Sequence, residues 1–176
     1  MKDLNKYLLA LLLLLASINI MASNDQSIPE ITIQTNLSIF KSEDNQDFLV
    51  VSYKNAPHWH TYWKNPGDAG LPIKMFFSIN NDDFIPTALE WPTPDRYFED
   101  ANLWGYGYEG EYSFFFKLTP TEANKLRSNT LNFKSNWLIC KHICIPGQIE
   151  MSGIFANNKF NIKTSSNAKV SSLDIS

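Results

Sequence analysis

The two cysteines of this chain, Cys140 and Cys144, are the residues whose type and spacing could carry redox or metal chemistry. A disulfide requires its Cα atoms to lie about 4.4–6.8 Å apart, whereas four residue steps of extended strand span roughly 13 Å. A bond between the two sulfurs therefore requires the chain to bend. Pro146 and Gly147 favour a bend, because proline fixes φ and glycine accepts positive φ. Three interpretations stay open: a structural disulfide, a redox-active pair and a pair of metal ligands.

The short loop between the cysteines favours thiol–disulfide exchange over a structural bond. Closing a five-residue loop removes only about 2 kcal/mol of unfolded-state entropy, against about 4.7 kcal/mol for a loop of about 100 residues. A short ring is also easier to reduce than a relaxed disulfide. Lys141 and His142 place cationic groups beside the sulfurs, which favours the thiolate. We therefore predict a redox-active pair.

Metal ligation is the alternative from a different class of function. Cys140, His142 and Cys144 have the same parity, so on a straight strand their side chains would face the same side. His58 and His60 form a second pair of equal parity, and together these side chains could bind zinc or copper(I). The straight strand that aligns these ligands also prevents the disulfide, so the backbone conformation separates the two interpretations.

A second unusual stretch, residues 56–72, is rich in large aromatic side chains. Trp59, Tyr62 and Trp63 are too many aromatics for an ordinary loop in solvent, and residues 65–68 (Asn-Pro-Gly-Asp) are a strong turn signal. We expect these aromatic residues to pack over one end of the fold. Together with His60, they are also expected to shield the cysteine pair or to form a surface for a partner protein, and both expectations can hold together.

Several other function classes are excluded by composition and by missing motifs. The formal net charge is −3 and basic runs are absent, which argues against nucleic acid or an anionic membrane as a partner. The glycine-rich stretch 104–110 lacks the Lys and Ser/Thr of a phosphate loop. No serine lies in a nucleophile elbow, and no HExxH, EF-hand or thioredoxin-type Cys-x-x-Cys motif is present.

Hydrophobic alternation predicts seven or eight short strands separated by turns, which is typical of an antiparallel β-sandwich. Residues 30–40 show it most clearly, and further strands are expected over 48–54, 73–79, 111–118, 130–139 and 148–155. The two prolines of 91–97 restrict that stretch to an edge strand or a surface loop. Residues 120–127 are the one predicted helical turn, with Thr119 or Thr121 as its N-cap. The last residues, 158–176, are expected to form a polar tail.

The N-terminal residues 1–22 are typical of a signal peptide. Lys2 and Lys6 precede an apolar run that includes the five leucines 11–15, and this run is shorter than the ~20 residues of a spanning helix. We expect cleavage near Ala22, followed by a linker over residues 23–29. Export places the two cysteines in an oxidising compartment, where they can pair.

Four motifs occur in order along the chain: residues 60–72 (HTYWKNPGDAGLP), 91–94 (WPTP), 107–110 (GYEG) and 137–146 (WLICKHICIP). With them, residues 30–155 resemble the periplasmic N-terminal domain of DsbD-type thiol:disulfide interchange proteins, especially the ScsB-like branch. This resemblance implies an all-β fold, an immunoglobulin-like antiparallel β-sandwich over residues 30–157, that needs no cofactor.

The resemblance also implies a function and partners. The Cys140/Cys144 pair is expected to shuttle reducing equivalents in the periplasm from a membrane-embedded donor to thioredoxin-fold proteins, with a link to copper tolerance in the ScsB-like branch. Cys144 is expected to attack the partner, Lys141 and His142 to stabilise the thiolate, and Pro146 to support the site. The chain shows no multi-helix membrane domain and no thioredoxin domain, so the electron donor is expected on a separate polypeptide.

Overall fold

A computed structural model describes residues 33–99 and 102–169 of the chain. These residues belong to one compact unit. The expected signal peptide (1–22) and linker (23–29) lie outside the described residues, so both stay predictions. Within the two described ranges, no helix is long and apolar enough to cross a membrane.

The described residues form twelve strands and one short helix. In chain order they are β1 (Gln34–Lys41), β2 (Asp47–Lys54), β3 (His60–Gly67), β4 (Lys74–Ile79), β5 (Asp82–Asp83), β6 (Thr87–Ala88), β7 (Asp95–Glu99), β8 (Leu103–Glu109), β9 (Glu111–Leu118), α1 (Pro120–Ser128), β10 (Leu131–Cys140), β11 (Cys144–Ala156) and β12 (Lys159–Lys169).

The strands pair in the order β6-β9-β2-β1-β12-β11-β10-β3-β8-β7, with β4 paired to β10 and β5. Three strands separate β2 from β10 along this path, yet the Tyr53 hydroxyl on β2 lies 2.7 Å from the Ser135 hydroxyl on β10. The sheet therefore curls until its two halves face each other across one core. This arrangement confirms the predicted all-β, immunoglobulin-like antiparallel fold. The halves are joined where Ser38 of β1 pairs with Lys159 of β12.

Strand β10 packs one face against this core along its length and leads to Cys140 at its end. Its side chains alternate between buried and half-buried positions, because neighbouring residues of a strand point to opposite faces. Leu131, Phe133 and Ile139 are each at most 1% exposed. Burying such side chains stabilises the fold by about 1.5–3 kcal/mol each, so the strand that ends at Cys140 is firmly held.

Helix α1 begins at a capping box. The Glu122 amide donates to the Thr119 hydroxyl at 3.2 Å, and the Thr119 amide donates to the Glu122 carboxylate at 2.7 Å. The structure thus identifies Thr119 as the N-cap, and the helix ends one residue beyond the predicted range. The helix is held to the sheet by Ala123 and Leu126, which are both completely buried.

An ion pair between Arg127 of α1 and Asp47 of β2 joins the helix to the first half of the sheet. The guanidinium donates to the two carboxylate oxygens at 2.8 and 3.3 Å, and the Asp47 side chain is only 10% exposed. Lys41 lies 3.6 Å from the same carboxylate. The hydrogen bonds from Arg127 hold the pKa of Asp47 below its ordinary value of 3.8, against the opposing effect of burial.

Asp47→Asn is expected to lower the free energy of unfolding by about 2 kcal/mol at pH 7, because Arg127 loses a partly buried partner. The folded-state pKa of Asp47 is depressed, so this stabilisation is complete above the unfolded-state pKa and is lost as the pH falls through the folded-state pKa. Urea unfolding at pH 7 and near pH 3 checks this, with the exposed Asp44→Asn as the control. The prediction would be contradicted if the free energies of unfolding of wild type and Asp47→Asn differed by the same amount at both pH values.

Several strands lie where the sequence did not predict them, and the longest of these are β12, β3 and β8. Residues 159–169, expected to belong to a polar tail, form β12 and pair with β11 from Lys159 opposite Ala156 to Lys169 opposite Gly147. Apart from Phe160, which packs against the core, this strand is held mainly by backbone pairing and its side chains are mostly polar, which is why composition did not reveal it. Residues 60–67, part of the aromatic stretch expected as a loop, form β3. The glycine-rich stretch 104–110, for which no element was predicted, forms most of β8, and the two strands pair with each other. Residues 91–94 stay outside the strands, as their prolines require.

Candidate functional site

Cys140 and Cys144 form a disulfide at the turn end of the β10–β11 hairpin. They are directly opposite each other in the strand register, with a sulfur–sulfur distance of 2.01 Å and a Cα–Cα distance of 4.1 Å. Residues 141–143 make the reversal, closed by a hydrogen bond from the Lys141 amide to the Ile143 carbonyl at 3.2 Å. The required bend is therefore present, and the straight strand on which the metal interpretation depended is not.

The position of the bend differs from the prediction. Pro146 and Gly147 lie within β11, opposite Leu138 and Trp137 of β10. Pairing of β11 with β12 begins only at Gly147, so Pro146 lies beyond that ladder, where a missing N–H is tolerated. Gly147 leaves room for the indole of Trp137, since a Cβ at this position would lie 2.6 Å from its Nε1. Both residues shape the strand that leaves the cysteine pair rather than the turn itself.

The two cysteines differ sharply in their access to solvent. Cys140 is 1% exposed, whereas Cys144 is an exposed residue. The three turn residues between them are also exposed, and Ile143 retains 53% of its accessible surface. An approaching sulfur therefore meets Cys144 first, while Cys140 is covered by the strands on either side of it.

Strand β3 is the other neighbour of Cys140. His60 pairs with Cys140, and on its far side His60 pairs with Glu109 of β8. Residues directly opposite each other in a sheet share a face, so Glu109, His60, Cys140 and Cys144 form a row across four strands. Residues 60–63 thus belong to a strand beside the disulfide, not to a loop laid over it. This corrects the loop expected for this stretch, and the reason is that its backbone hydrogen bonds are used by β10 and β8.

Tyr62 is the aromatic residue of β3 that reaches the disulfide. Its ring is 1% exposed, and its hydroxyl lies 3.9 Å from the Cys144 sulfur. A disulfide sulfur carries no proton, so the phenol is the donor in this contact. Trp59 and Trp63 are half-buried and pack against the core, as expected for residues at the end of the fold. Of the four predicted cap residues, the structure brings His60 and Tyr62 to the pair.

Tyr97 of β7 belongs to the same cluster, although it lies in no motif that points to the cysteine pair. Its ring stacks on the buried His60 ring at a centroid distance of 4.1 Å, and the His60 ring meets the Tyr62 ring edge-on at 5.2 Å. Gly107 of β8 pairs with Tyr62 of β3, and Gly105 of β8 pairs with Tyr97 of β7, so strand β8 lies between the two strands that carry these rings. No local sequence pattern connects residues of two strands that are not neighbours.

A buried polar network holds β3 from the core side. The Thr61 hydroxyl lies 2.7 Å from the Tyr112 hydroxyl, which donates to the Asn55 side-chain oxygen at 3.2 Å. The Asn55 amide in turn donates to the Tyr108 carbonyl at 2.8 Å. Burial raises the pKa of Tyr112 far above its ordinary value, so its hydroxyl stays neutral and remains a donor. Each polar group is satisfied, which fixes Thr61 between His60 and Tyr62.

Lys141, His142 and His58 lie around the rim of the site. Lys141 and His142 are exposed in the turn that links the two cysteines. His58 lies at φ 65°, its amide donates to Glu109 at 3.0 Å, and its imidazole Nδ1 lies 3.6 Å from the same carboxylate. Across the residues that the structure describes, no group of three or more His, Cys, Asp or Glu side chains is placed to hold a metal ion.

Comparison with known proteins agrees with this geometry. The crystal structure of the N-terminal periplasmic domain of ScsB from Proteus mirabilis is similar in fold, with a TM-score of 0.54 and 22% sequence identity. The match covers 73% of this chain and 48% of that one, so this chain spans about half of the ScsB domain. No curated protein matches the sequence. The family model of the N-terminal part of thiol:disulfide interchange protein DsbD matches residues 30–156. The chain therefore belongs to the DsbD N-terminal domain family.

Proposed function

We propose that this protein exchanges disulfides with partner proteins through the Cys140–Cys144 pair. The observation that carries the proposal is the asymmetry of the pair: one cysteine is exposed and the other is 1% exposed at the end of a well-packed hairpin. Exchange requires one sulfur that a partner can reach and a second sulfur held close enough to complete the reaction. A bond that served only to stabilise the fold needs no such exposure.

The reaction would run as a reductase in two steps. The Cys144 thiolate attacks one sulfur of a partner disulfide, which forms a mixed disulfide and releases the partner's other sulfur as a thiolate. The Cys140 thiolate then attacks Cys144, releases the second partner thiolate and restores the Cys140–Cys144 bond. Two electrons pass to the partner in total; the two protons that the Cys140 and Cys144 thiols lose go to solvent, and the two partner thiolates take up protons from solvent. A membrane-embedded donor would reduce the pair again, and thioredoxin-fold proteins are the proposed acceptors.

Three groups around Cys144 support its role as the attacking thiolate. Lys141 and His142 are cationic neighbours in the exposed turn, and positive charge lowers the pKa of a thiol. The Tyr62 hydroxyl supplies a hydrogen bond to the same sulfur. His60, Trp59 and Trp63 would form the surface beside the pair that a partner meets, with Pro146 supporting the strand beyond it.

The periplasm is the proposed compartment. The solved ScsB domain is periplasmic by its description, and an oxidising compartment is where a cysteine pair of this kind can cycle. The charged and apolar start of the chain fits export to that compartment.

The reduction potential of the pair tests the proposal. We expect a value above about −300 mV, in the range of exchange proteins, because the pair closes a short loop and is open to solvent on one side. Equilibration of the full chain in glutathione and dithiothreitol redox buffers, read by mass after alkylation, gives the value. The variant with both cysteines replaced by serine is the control for alkylation elsewhere. A potential below about −300 mV would identify a structural disulfide and reject the proposal.

A further inference from the structure

Residues 65–70 (Asn-Pro-Gly-Asp-Ala-Gly) are the end of β3 and the turn that follows it; this segment, here called the 65–70 turn, packs against Tyr62 and is tied to β8. We propose that this turn is a clamp that holds the Tyr62 hydroxyl at the Cys144 sulfur and thereby lowers the pKa of the Cys144 thiol in the reduced protein. This inference rests on the proposed exchange function and assigns a role to a motif that the exchange chemistry itself does not use. Asp68 and Gly70 are then positioning residues, because neither contacts the sulfur.

Asp68 fastens the turn to β8 through two hydrogen bonds with Trp104. The Asp68 amide donates to the Trp104 carbonyl at 2.8 Å, and the Trp104 amide donates to the Asp68 carboxylate at 3.1 Å. Gly67 precedes this contact at φ 89°, where a Cβ would lie 2.4 Å from the Trp104 carbonyl oxygen. The turn can therefore approach β8 this closely only with glycine at position 67.

Gly70 brings the backbone of the turn directly against the Tyr62 ring. Its φ is 95°, and a Cβ at this position would lie 2.2–2.5 Å from three carbon atoms of the ring. The chain then passes along β3, where Pro72 bridges to Tyr62 and the Ile73 amide donates to the Tyr62 carbonyl at 3.5 Å. Tyr62 is thus confined at its ring by Gly70 and at its backbone by the residues that follow.

A confined phenol is a preorganised hydrogen-bond donor. The hydroxyl oxygen already lies 3.9 Å from the Cys144 sulfur in the disulfide form, within reach of a hydrogen bond to sulfur. When the pair is reduced, the same donor stabilises the thiolate more than the neutral thiol, because a charged acceptor forms the stronger hydrogen bond. The turn therefore acts on the Cys144 sulfur indirectly, because it fixes the position of the Tyr62 ring.

The acidity of Cys144 measures this effect directly. In a Cys140→Ser background, the rate of alkylation by iodoacetamide against pH gives the pKa of Cys144. Tyr62→Phe is expected to reduce the thiolate fraction at neutral pH roughly fivefold, the size of one hydrogen bond. Gly70→Ala and Asp68→Ala are expected to shift the profile in the same direction. Adding Gly70→Ala to Tyr62→Phe is expected to shift it no further, because the group that the clamp positions is already gone.

Gly110→Ala is the matched control. Gly110 also has a positive φ, 66°, but nothing lies within 4 Å of a Cβ placed there, so this variant introduces backbone strain without moving Tyr62. The other titratable groups around the pair are unchanged in every variant: Lys141 and His142 in the turn, His60 on β3, Glu109 on β8 and Tyr97 on β7.

The clamp is rejected if Gly70→Ala shifts the pH profile of Cys144 alkylation no more than Gly110→Ala does. It is also rejected if Gly70→Ala shifts this profile further in a protein that already carries Tyr62→Phe. Asp68→Ala provides the same comparison if Gly70→Ala does not fold. Failure of the exchange function has a different signature. Cys144 would resist alkylation in the Cys140→Ser protein that carries no other substitution, and the Cys140–Cys144 pair would have a reduction potential below about −300 mV.

Discussion

Cys140→Ser is expected to trap a stable mixed disulfide on Cys144, whereas Cys144→Ser is expected to leave a thiol that hardly reacts. The exposed Cys144 thiolate attacks oxidised glutathione and releases one glutathione thiolate, and without Cys140 no second thiol resolves the product. Cys140 is 1% exposed, so it reacts only when the surrounding strands open. If that opening costs about 3 kcal/mol, its rate falls roughly 100-fold. Mass spectrometry of each reduced variant during incubation with oxidised glutathione measures both rates.

The same two variants in guanidinium chloride are the control, because unfolding exposes both thiols and the two rates should become equal. Equal rates in guanidinium chloride would show that the difference in rate between the folded variants comes from the fold and not from the sequence around each cysteine. Equal rates in the folded variants, or faster reaction at Cys140, would mean that the burial of Cys140 does not direct the exchange and that the proposed order of attack is wrong.

The parts of the fold that local patterns determine were predictable. Strand β9 has the predicted bounds, 111–118, because its apolar and polar residues alternate and its ends are marked by glycine and proline. Strand β12 was missed because its side chains are mostly polar and exposed. A local signal did exist: Asn157 and Asn158 have φ values of 50° and 62°, as the two central residues of a type I′ hairpin turn require. The predicted domain end at residue 157 falls inside that turn.

The site was predictable in its chemistry and not in its surroundings. Residue types and loop length identified Cys140 and Cys144 and the need for a bend between them. The bend occurs at residues 141–143 instead of at Pro146, because a three-residue reversal already places the cysteines opposite each other. The contacts of Tyr62 with Cys144 and of Tyr97 with His60 join residues far apart in the chain. Contacts of this kind follow from sheet order, which local periodicity does not determine.

The composition of the glycine-rich stretch 104–110 does not reveal that it forms a strand. No strand was predicted there, but it forms most of β8, and a Cβ on Gly107 would clash with the backbone of Thr61. Glycine weakens a strand on its own, and in a sheet it often marks a close approach of another backbone. Here the approaching backbone is that of β3, which carries His60 and Tyr62 to the cysteine pair.

Gly107→Ala is therefore expected to lower the free energy of unfolding by about 3 kcal/mol and to slow exchange at Cys144. A Cβ on Gly107 would lie 1.8 Å from the Thr61 carbonyl oxygen and 3.2 Å from the Tyr62 Cα, so β3 and β8 must separate where Tyr62 pairs with Gly107. Urea unfolding and the rate of reaction with oxidised glutathione measure the two effects. Gly110→Ala, with open space at its Cβ, should cost about 1 kcal/mol from φ strain alone and leave exchange unchanged. If Gly107→Ala behaved like Gly110→Ala in both measurements, the close approach of β3 to β8 would not be what holds Tyr62 at the disulfide.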